Sequence, residues 1–194
     1  NPFQGAVNDI PSIYAGLWKD GRYGAGREGS NIYAIINEGG SIKGTHSHIG
    51  GNIGINVKPI DGLTLSAYFA PTFNFYKGKT FKKAIKYYDA KDPTLLLGYM
   101  SGYDVTKLSE SRNDSYKLMF QALANYVKSI GRHNFSVMAG YESNKSFNEN
   151  LGASRDNYLL DSFPYLDLGP LEFRDNSGSA YEYAYRSWFG RATY

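Results

Sequence analysis

From Leu63 to Phe75 the chain alternates without a break. Leu63, Leu65, Ala67, Phe69, Pro71, Phe73 and Phe75 fall on one set of positions, and Thr64, Ser66, Tyr68, Ala70, Thr72 and Asn74 on the other. A period of two marks a strand with one apolar and one polar face. Just upstream, Ile49, Gly51, Ile53, Ile55 and Val57 stand against His46, His48, Gly50, Asn52, Gly54 and Asn56 in the same way, which predicts one long strand. Between the two, Pro59-Ile60-Asp61-Gly62 supplies turn chemistry, so they form a hairpin. Strands of this length exceed the usual five or six residues of globular sheets. At ~3.3 Å per residue, ten residues tilted by about 45° climb about 23 Å, the height of the apolar band of an outer-membrane barrel. Pro71 inside the second strand implies an edge, a bulge or a strand end.

A second hairpin spans Tyr116 to Glu142 around the turn Ser129-Ile130-Gly131-Arg132. Its second arm alternates Phe135, Val137, Ala139 and Tyr141 with Ser136, Gly140 and Glu142, Met138 being the one apolar intruder. Its first arm is open to two readings. Tyr116, Leu118, Phe120, Ala122, Ala124 and Tyr126 alternate, yet Tyr116, Met119, Phe120, Leu123, Tyr126, Val127 and Ile130 also trace a helical stripe. A last strand is expected over 180–194, with Trp188, Ala192 and Tyr194 on one face and Arg186 falling among them.

Between these hairpins the pattern lapses. Residues 1–43 read as mainly loop with one short strand at Ile32 to Ile36, 44–76 as hairpin, 77–112 as long loop, 113–147 as hairpin, 148–179 as long loop and 180–194 as strand. Short turns therefore alternate with loops much longer than the usual ~4–6 residues. Transmembrane barrels show this asymmetry, with short periplasmic turns and long outer loops. A sandwich has no reason for it.

Composition narrows the classes. Eighteen Tyr, 22 Gly and 16% aromatics favour strands and turns. No cysteine is present, which removes disulfides, thiolate metal sites and a cysteine nucleophile. A net charge of +3 from 21 basic and 18 acidic residues gives no reason to expect nucleic acid. No apolar run reaches the ~20 residues of a membrane helix, which excludes that class and leaves barrels open.

Asn1-Pro2-Phe3, Asp20-Gly21-Arg22-Tyr23, Val57-Lys58-Pro59-Ile60-Asp61-Gly62-Leu63-Thr64-Leu65, Ser109-Glu110-Ser111-Arg112, Gly131-Arg132-His133, Ala139-Gly140-Tyr141-Glu142, Ala153-Ser154-Arg155-Asp156-Asn157 and the closing Arg186 to Tyr194 carry a likeness. In order and spacing they resemble the barrel region of SusC/RagA-type TonB-dependent transporters of Bacteroidetes outer membranes, across essentially the whole chain. The resemblance implies an all-β fold, an antiparallel transmembrane β-barrel segment of about five long strands within a larger plugged barrel of roughly 22 strands. It implies import of glycans or peptides, a SusD-like surface lipoprotein, outer-membrane lipid around the barrel and energy from the TonB complex. It also makes Tyr116 to Val127 a barrel strand. No plug domain, TonB box or signal sequence is recognisable, so the chain is expected to be an internal fragment, coupled to TonB through N-terminal parts it lacks.

The chemistry of catalysis is thin. His46 and His48 share a strand face, but with three His and no Cys a metal site lacks ligands. The Gly21-Arg22-Tyr23-Gly24-Ala25-Gly26 run has no strand before it and no Lys-Ser/Thr pair, so it is a loop rather than a phosphate cradle. No Ser sits at a nucleophile elbow, and the plentiful loop acids are the solvated kind rather than a glycosidase pair. No enzyme, cofactor or metal is expected. The lysine run from Lys77 to Lys86 is a solvated loop base or a contact for anionic lipopolysaccharide or the capping protein. Binding falls to loop side chains: Trp18, Tyr23, Tyr87, Tyr88, Tyr103, Arg155, Asp156 and Tyr158 are the candidates for substrate or partner contact. Tyrosine and tryptophan pair an apolar body with a polar tip that stacks on ligands, and the same property folds loops onto one another. The rival class is a soluble, aromatic-rich glycan-binding β domain.

Overall fold

The computed structural model describes residues 16–26, 31–89 and 91–194. Its elements are a helix α1 (Ile32–Glu38) and eight strands: β1 (Gly40–Gly50), β2 (Ile53–Ile60), β3 (Leu63–Lys82), β4 (Lys86–Tyr88), β5 (Leu96–Tyr99), β6 (Lys107–Ile130), β7 (His133–Asp156) and β8 (Arg174–Thr193). The chain divides into two compact units. A loop unit takes the described residues up to Gly44 with Lys77–Ser111 and Gly152–Ser177, and a sheet unit takes Thr45–Tyr76, Arg112–Leu151 and Gly178–Tyr194.

The main sheet has the order β1-β3-β6-β7-β8, with β2 also on β3. β2 runs antiparallel to β3 with Ile53 opposite Phe69, Ile55 opposite Ala67 and Val57 opposite Leu65. β1 keeps the same register: the His46 ring lies 4.5 Å from Tyr76, and His48 Nδ1 is 2.6 Å from Asn74 Oδ1. β1 and β2 thus act as one edge strand, broken at Gly51 and Asn52. Pro71 explains the break. Gly51 N–H donates to the Pro71 carbonyl at 3.1 Å, but proline has no N–H to return the bond.

Two glycines make the short turns. Gly62, at φ +85°, brings its backbone so close to the Val127 carbonyl that a Cβ there would lie 2.2 Å from the oxygen. Gly131, at φ +61°, is the first central residue of the β6–β7 turn, and Arg132 has no positive φ. That is the II′ hairpin turn, whose twist suits the flanking strands. The first arm of this hairpin, open by periodicity, is strand throughout.

The strands outrun their expected bounds. β3 continues to Lys82 and β6 starts at Lys107, so the connection between them carries only the small β4–β5 hairpin. β7 continues to Asp156 and β8 begins at Arg174, with two 3-10 turns between. The expected strand at Ile32 to Ile36 is instead α1. Its cap decides the matter: the Asn31 side chain accepts from Ala34 N–H at 3.1 Å, satisfying a first-turn donor.

Within the sheet unit the two faces differ chemically. On one, hydrogen bonds link polar side chains of neighbouring strands: Tyr68 to Asn56 at 3.1 Å, Gln121 to Glu142 at 3.5 Å and Tyr185 to Glu142 at 2.7 Å. The other is apolar and uncovered, with Ile53 73%, Val137 50% and Trp188 81% exposed. Aromatic rows bound it at both ends. Toward the short turns, Phe135 and His133 lie against Tyr194 at 5.2 and 5.7 Å. Toward the other end, Phe73, Tyr116 and Phe147 run side by side at 6.3 and 5.4 Å. Tyr126 and Tyr116, ten residues apart on β6, span about 33 Å along the strand, or about 23 Å of height at a barrel tilt of about 45°.

Candidate functional site

The loop unit contains a cleft of about 390 Å³, lined by Arg22, Tyr23, Glu38, Lys83, Lys86, Tyr88 and Asp161 among others. Its frame is backbone pairing. Leu17 bridges Tyr23 around a tight turn closed by Trp18 N–H to the Arg22 carbonyl at 2.8 Å. The outgoing segment then docks on β4, with Tyr88 N–H on the Tyr23 carbonyl at 2.8 Å and Ala25 N–H on the Tyr88 carbonyl at 2.7 Å. β4 in turn pairs with β5, Lys86 opposite Tyr99. Behind this frame sits a small core of Ala34, Ile85 and Met100.

The cleft holds charges of both signs. Arg22 is fixed by Nη1 donating to the Pro93 carbonyl at 2.7 Å, and its guanidinium lies 5.1 Å from the centre of the Tyr88 ring. Tyr23 donates to Glu38 at 3.4 Å. Burial, then the Glu38 charge, raises the Tyr23 pKa above the ordinary phenol value, so the hydroxyl stays a donor at neutral pH. Lys83 pairs with Asp161 at 3.2 Å. Lys86 is exposed and, among the described residues, has no partner. Such an arrangement offers hydrogen-bond donors, an unpaired cation, carboxylates and ring faces. It is equipped to hold a ligand that carries both charges. Among the described residues no three His, Asp or Glu side chains gather as a metal site would require.

The residues singled out by sequence fall into three places. Tyr23 and Tyr88 line the cleft. Tyr87 and Tyr103 pack against the small core, with Lys82 over the Tyr103 ring at 5.4 Å, and Trp18 is half-exposed on the tight turn. Arg155, Asp156 and Tyr158 lie elsewhere in the unit. Arg155 donates to the Gly169 carbonyl at 2.8 Å, Asp156 pairs with Lys107 at 3.2 Å, and Tyr158 packs edge-on to Phe81 at 6.0 Å in a core shared with Leu108. These three bind the protein to itself. Arg22, Glu38, Lys83, Lys86 and Asp161 escaped the sequence reading as site residues. The lysine run had marked Lys83 and Lys86, and Arg22 lay in the Gly21–Gly26 run read as a loop.

No family model and no curated protein matches the chain. Solved structures do. The fold is similar to chains of the RagAB peptide importer in its closed-closed and open-open states, and of the RagAB peptide transporter, each at a TM-score of 0.71 and 18% identity. The match covers 91–96% of this chain and only 18–19% of those chains. The chain thus spans less than a fifth of the length of the proteins it resembles, and its sheet has the fold of a stretch of a β-barrel transporter.

Proposed function

We propose that this chain is a barrel stretch of a SusC/RagA-type, TonB-dependent transporter of an outer membrane, working with a SusD-like lipoprotein, and that its cargo is peptide. The observation that carries the reading is the uncovered apolar face of the sheet unit, about 23 Å high and rimmed by aromatic rows. Lipid supplies the second layer that such a face needs, and Tyr and Trp favour the two interfaces. The short turns then face the periplasm. The likeness to the RagAB peptide importer supports the same reading.

Peptide is favoured over glycan by the cleft. A peptide brings ammonium and carboxylate groups that Glu38 and Lys86 complement, whereas a neutral glycan uses neither charge. In the assembled transporter, binding of a mixed oligopeptide pool and of neutral oligosaccharides is measured side by side. Peptide binding that falls severalfold in Lys86→Glu supports the reading. Oligosaccharide binding alone, indifferent to Lys86, overturns the cargo. Folded, monodisperse protein in plain buffer overturns the membrane assignment in favour of a soluble β domain, because a barrel piece in water leaves unpaired edges and greasy faces exposed. The protein is proposed to bind and conduct rather than to catalyse.

A further inference from the structure

Asp161 lines the cleft from a stretch of chain that has little else to hold it. Upstream, Tyr158 is buried with Phe81 and Leu108, and its N–H donates to the Thr106 carbonyl at 3.3 Å. Downstream, the Lys79 ammonium lies 4.6 Å from the centre of the Tyr165 ring. Between these anchors nothing is buried: Leu159 is 94% exposed, and Leu160 and Phe163 are exposed as well. Among the described residues, the one polar tie of 159–162 is the ion pair of Asp161 with Lys83 at 3.2 Å.

The two partners of this pair are unequally held. Lys83 is fixed through its backbone, with its own N–H on the Gly39 carbonyl at 3.4 Å and the Ala84 N–H on the Thr106 hydroxyl at 3.1 Å. Its side chain is 29% exposed, against 65% for Asp161. A lysine that is largely withdrawn from water needs an anion more than an exposed carboxylate needs a cation. Exposed pairs are also weak, because screening and side-chain entropy offset most of the attraction. The carboxylate is therefore the exchangeable member and the lysine the fixed one. Lys86, three residues on, lines the same cleft and has no partner among the described residues.

We infer that Asp161 is a built-in competitor for the carboxylate of a peptide cargo. It holds Lys83 until a ligand carboxylate, from a C-terminus or an acidic side chain, takes its place. The inference rests on the peptide reading of this cleft given above. The exchange conserves charge, one carboxylate leaving as another arrives, so Lys83 is never left bare. A peptide without a carboxylate has no reason to displace Asp161, since doing so would leave the lysine unpaired. Competition of this kind lowers affinity while keeping the chemistry that recognises the ligand. That suits a transporter, whose sites must bind cargo weakly enough to let it leave.

The test uses the full-length transporter purified in detergent, with binding followed by isothermal titration calorimetry. The probes are a short neutral peptide with free ends, its C-terminal amide, that amide carrying one Glu, and a neutral oligosaccharide. Asp161→Asn is expected to bind the free-carboxylate peptide about two- to fivefold more tightly than wild type does, the range an exposed ion pair allows. It should bind the plain amide no better. Lys83→Gln is expected to weaken the free-carboxylate peptide, and in that background Asp161→Asn should give no further gain, as a pairwise competition requires. A gain that includes the Glu-bearing amide supports exchange with side-chain carboxylates too, and a gain without it supports exchange with the C-terminus alone. An unchanged or weakened free-carboxylate peptide in Asp161→Asn overturns the inference, because a purely structural tie would act that way. So does an equal gain with the plain amide. If Asp161→Asn does not assemble, Lys83→Gln decides, since its binding the free-carboxylate peptide as tightly as wild type takes Lys83 out of the ligand's path. A transporter that binds the oligosaccharide and no peptide overturns the cargo reading, whereas peptide binding that ignores Asp161 overturns the exchange alone.

Discussion

The two units are built on different plans. Every buried apolar residue among those described, Ala34, Phe81, Ile85, Met100, Leu108 and Tyr158, belongs to the loop unit. The sheet unit has none, and sets out Ile53, Val137 and Trp188 on an open face. The loop unit is therefore held as a water-soluble protein is, by removing apolar area from water at about 25 cal/mol per Å². The sheet unit is held by its ladders and by whatever covers its face. One chain carries both designs, and identical substitutions should have different consequences in each.

The largest contrast is expected from truncating leucines. Leu108 is fully buried between Phe81 and Tyr158, so Leu108→Ala removes core contacts and should cost the loop unit about 2–5 kcal/mol. Leu65→Ala, on the open face, leaves no cavity and should cost about 0.5 kcal/mol or less. Hydrogen exchange read separately over 152–177 and 112–151 measures both. Equal losses would reveal a hidden core in the sheet unit and end the comparison.

Nearly as large is the effect of a charge placed on one face or the other. Ala139→Arg puts a cation well inside the apolar band, between the Phe135 and Phe147 rows, at about 2–4 kcal/mol in a bilayer. Ser136→Arg, three residues away, points to the polar side and should be tolerated. The fraction of heat-modifiable, assembled protein for the two variants is the measurement. If Ser136→Arg is the more damaging, the faces have been assigned backwards.

What made the sheet unit legible is the same absence of a hidden layer. Leu63 to Phe75 alternates cleanly because one face of the strand is apolar along its length and no second layer interrupts it. Beyond Tyr76 the alternation stops while β3 goes on to Lys82, because there the strand is held by individual pairs, such as Lys79 with Glu110 at 3.0 Å. Such pairs leave no period. Ile32 to Ile36 looked like strand because isoleucine favours strands, and a single cap at Asn31 outweighed that preference. The cleft was illegible for another reason. Arg22, Glu38, Lys83, Lys86 and Asp161 come from four stretches of chain, and the pairing of Gly24 with Tyr88, the Tyr23–Glu38 hydrogen bond and the Lys83–Asp161 bridge bring them into one wall. Aromatic content pointed to binding loops in general, yet it could not separate Tyr88 in the cleft from Tyr158 in a core.

The loop unit should also respond to acid. Asp89 accepts from Lys91 N–H at 2.7 Å and Asp92 N–H at 3.0 Å, and Asp92 accepts from the Thr94 hydroxyl at 2.6 Å and its N–H at 2.9 Å. The backbone donors lower the Asp89 pKa, and the Thr94 donors lower that of Asp92. A lowered folded pKa means stabilisation that is present above the ordinary aspartate value of about 3.9 and lost as pH falls through the folded value. Amides of Lys91, Asp92 and Thr94 are therefore expected to lose exchange protection only below the ordinary carboxylate range. Loss near neutral pH would point to a different support for this turn.

The smallest effect tests whether the loop core is built for stability alone. Tyr158 is 7% exposed, and its hydroxyl is buried without a hydrogen-bond partner. Burial is the first cause of its raised pKa, so the phenol stays neutral and pays for desolvation without a bond in return. Tyr158→Phe keeps the edge-on contact with Phe81 and removes the orphan oxygen. Thermal unfolding of the loop unit should then be unchanged or slightly raised, by about 1 kcal/mol at most. A drop of similar size would mean that the hydroxyl meets a bridging water or a ligand atom in the working protein.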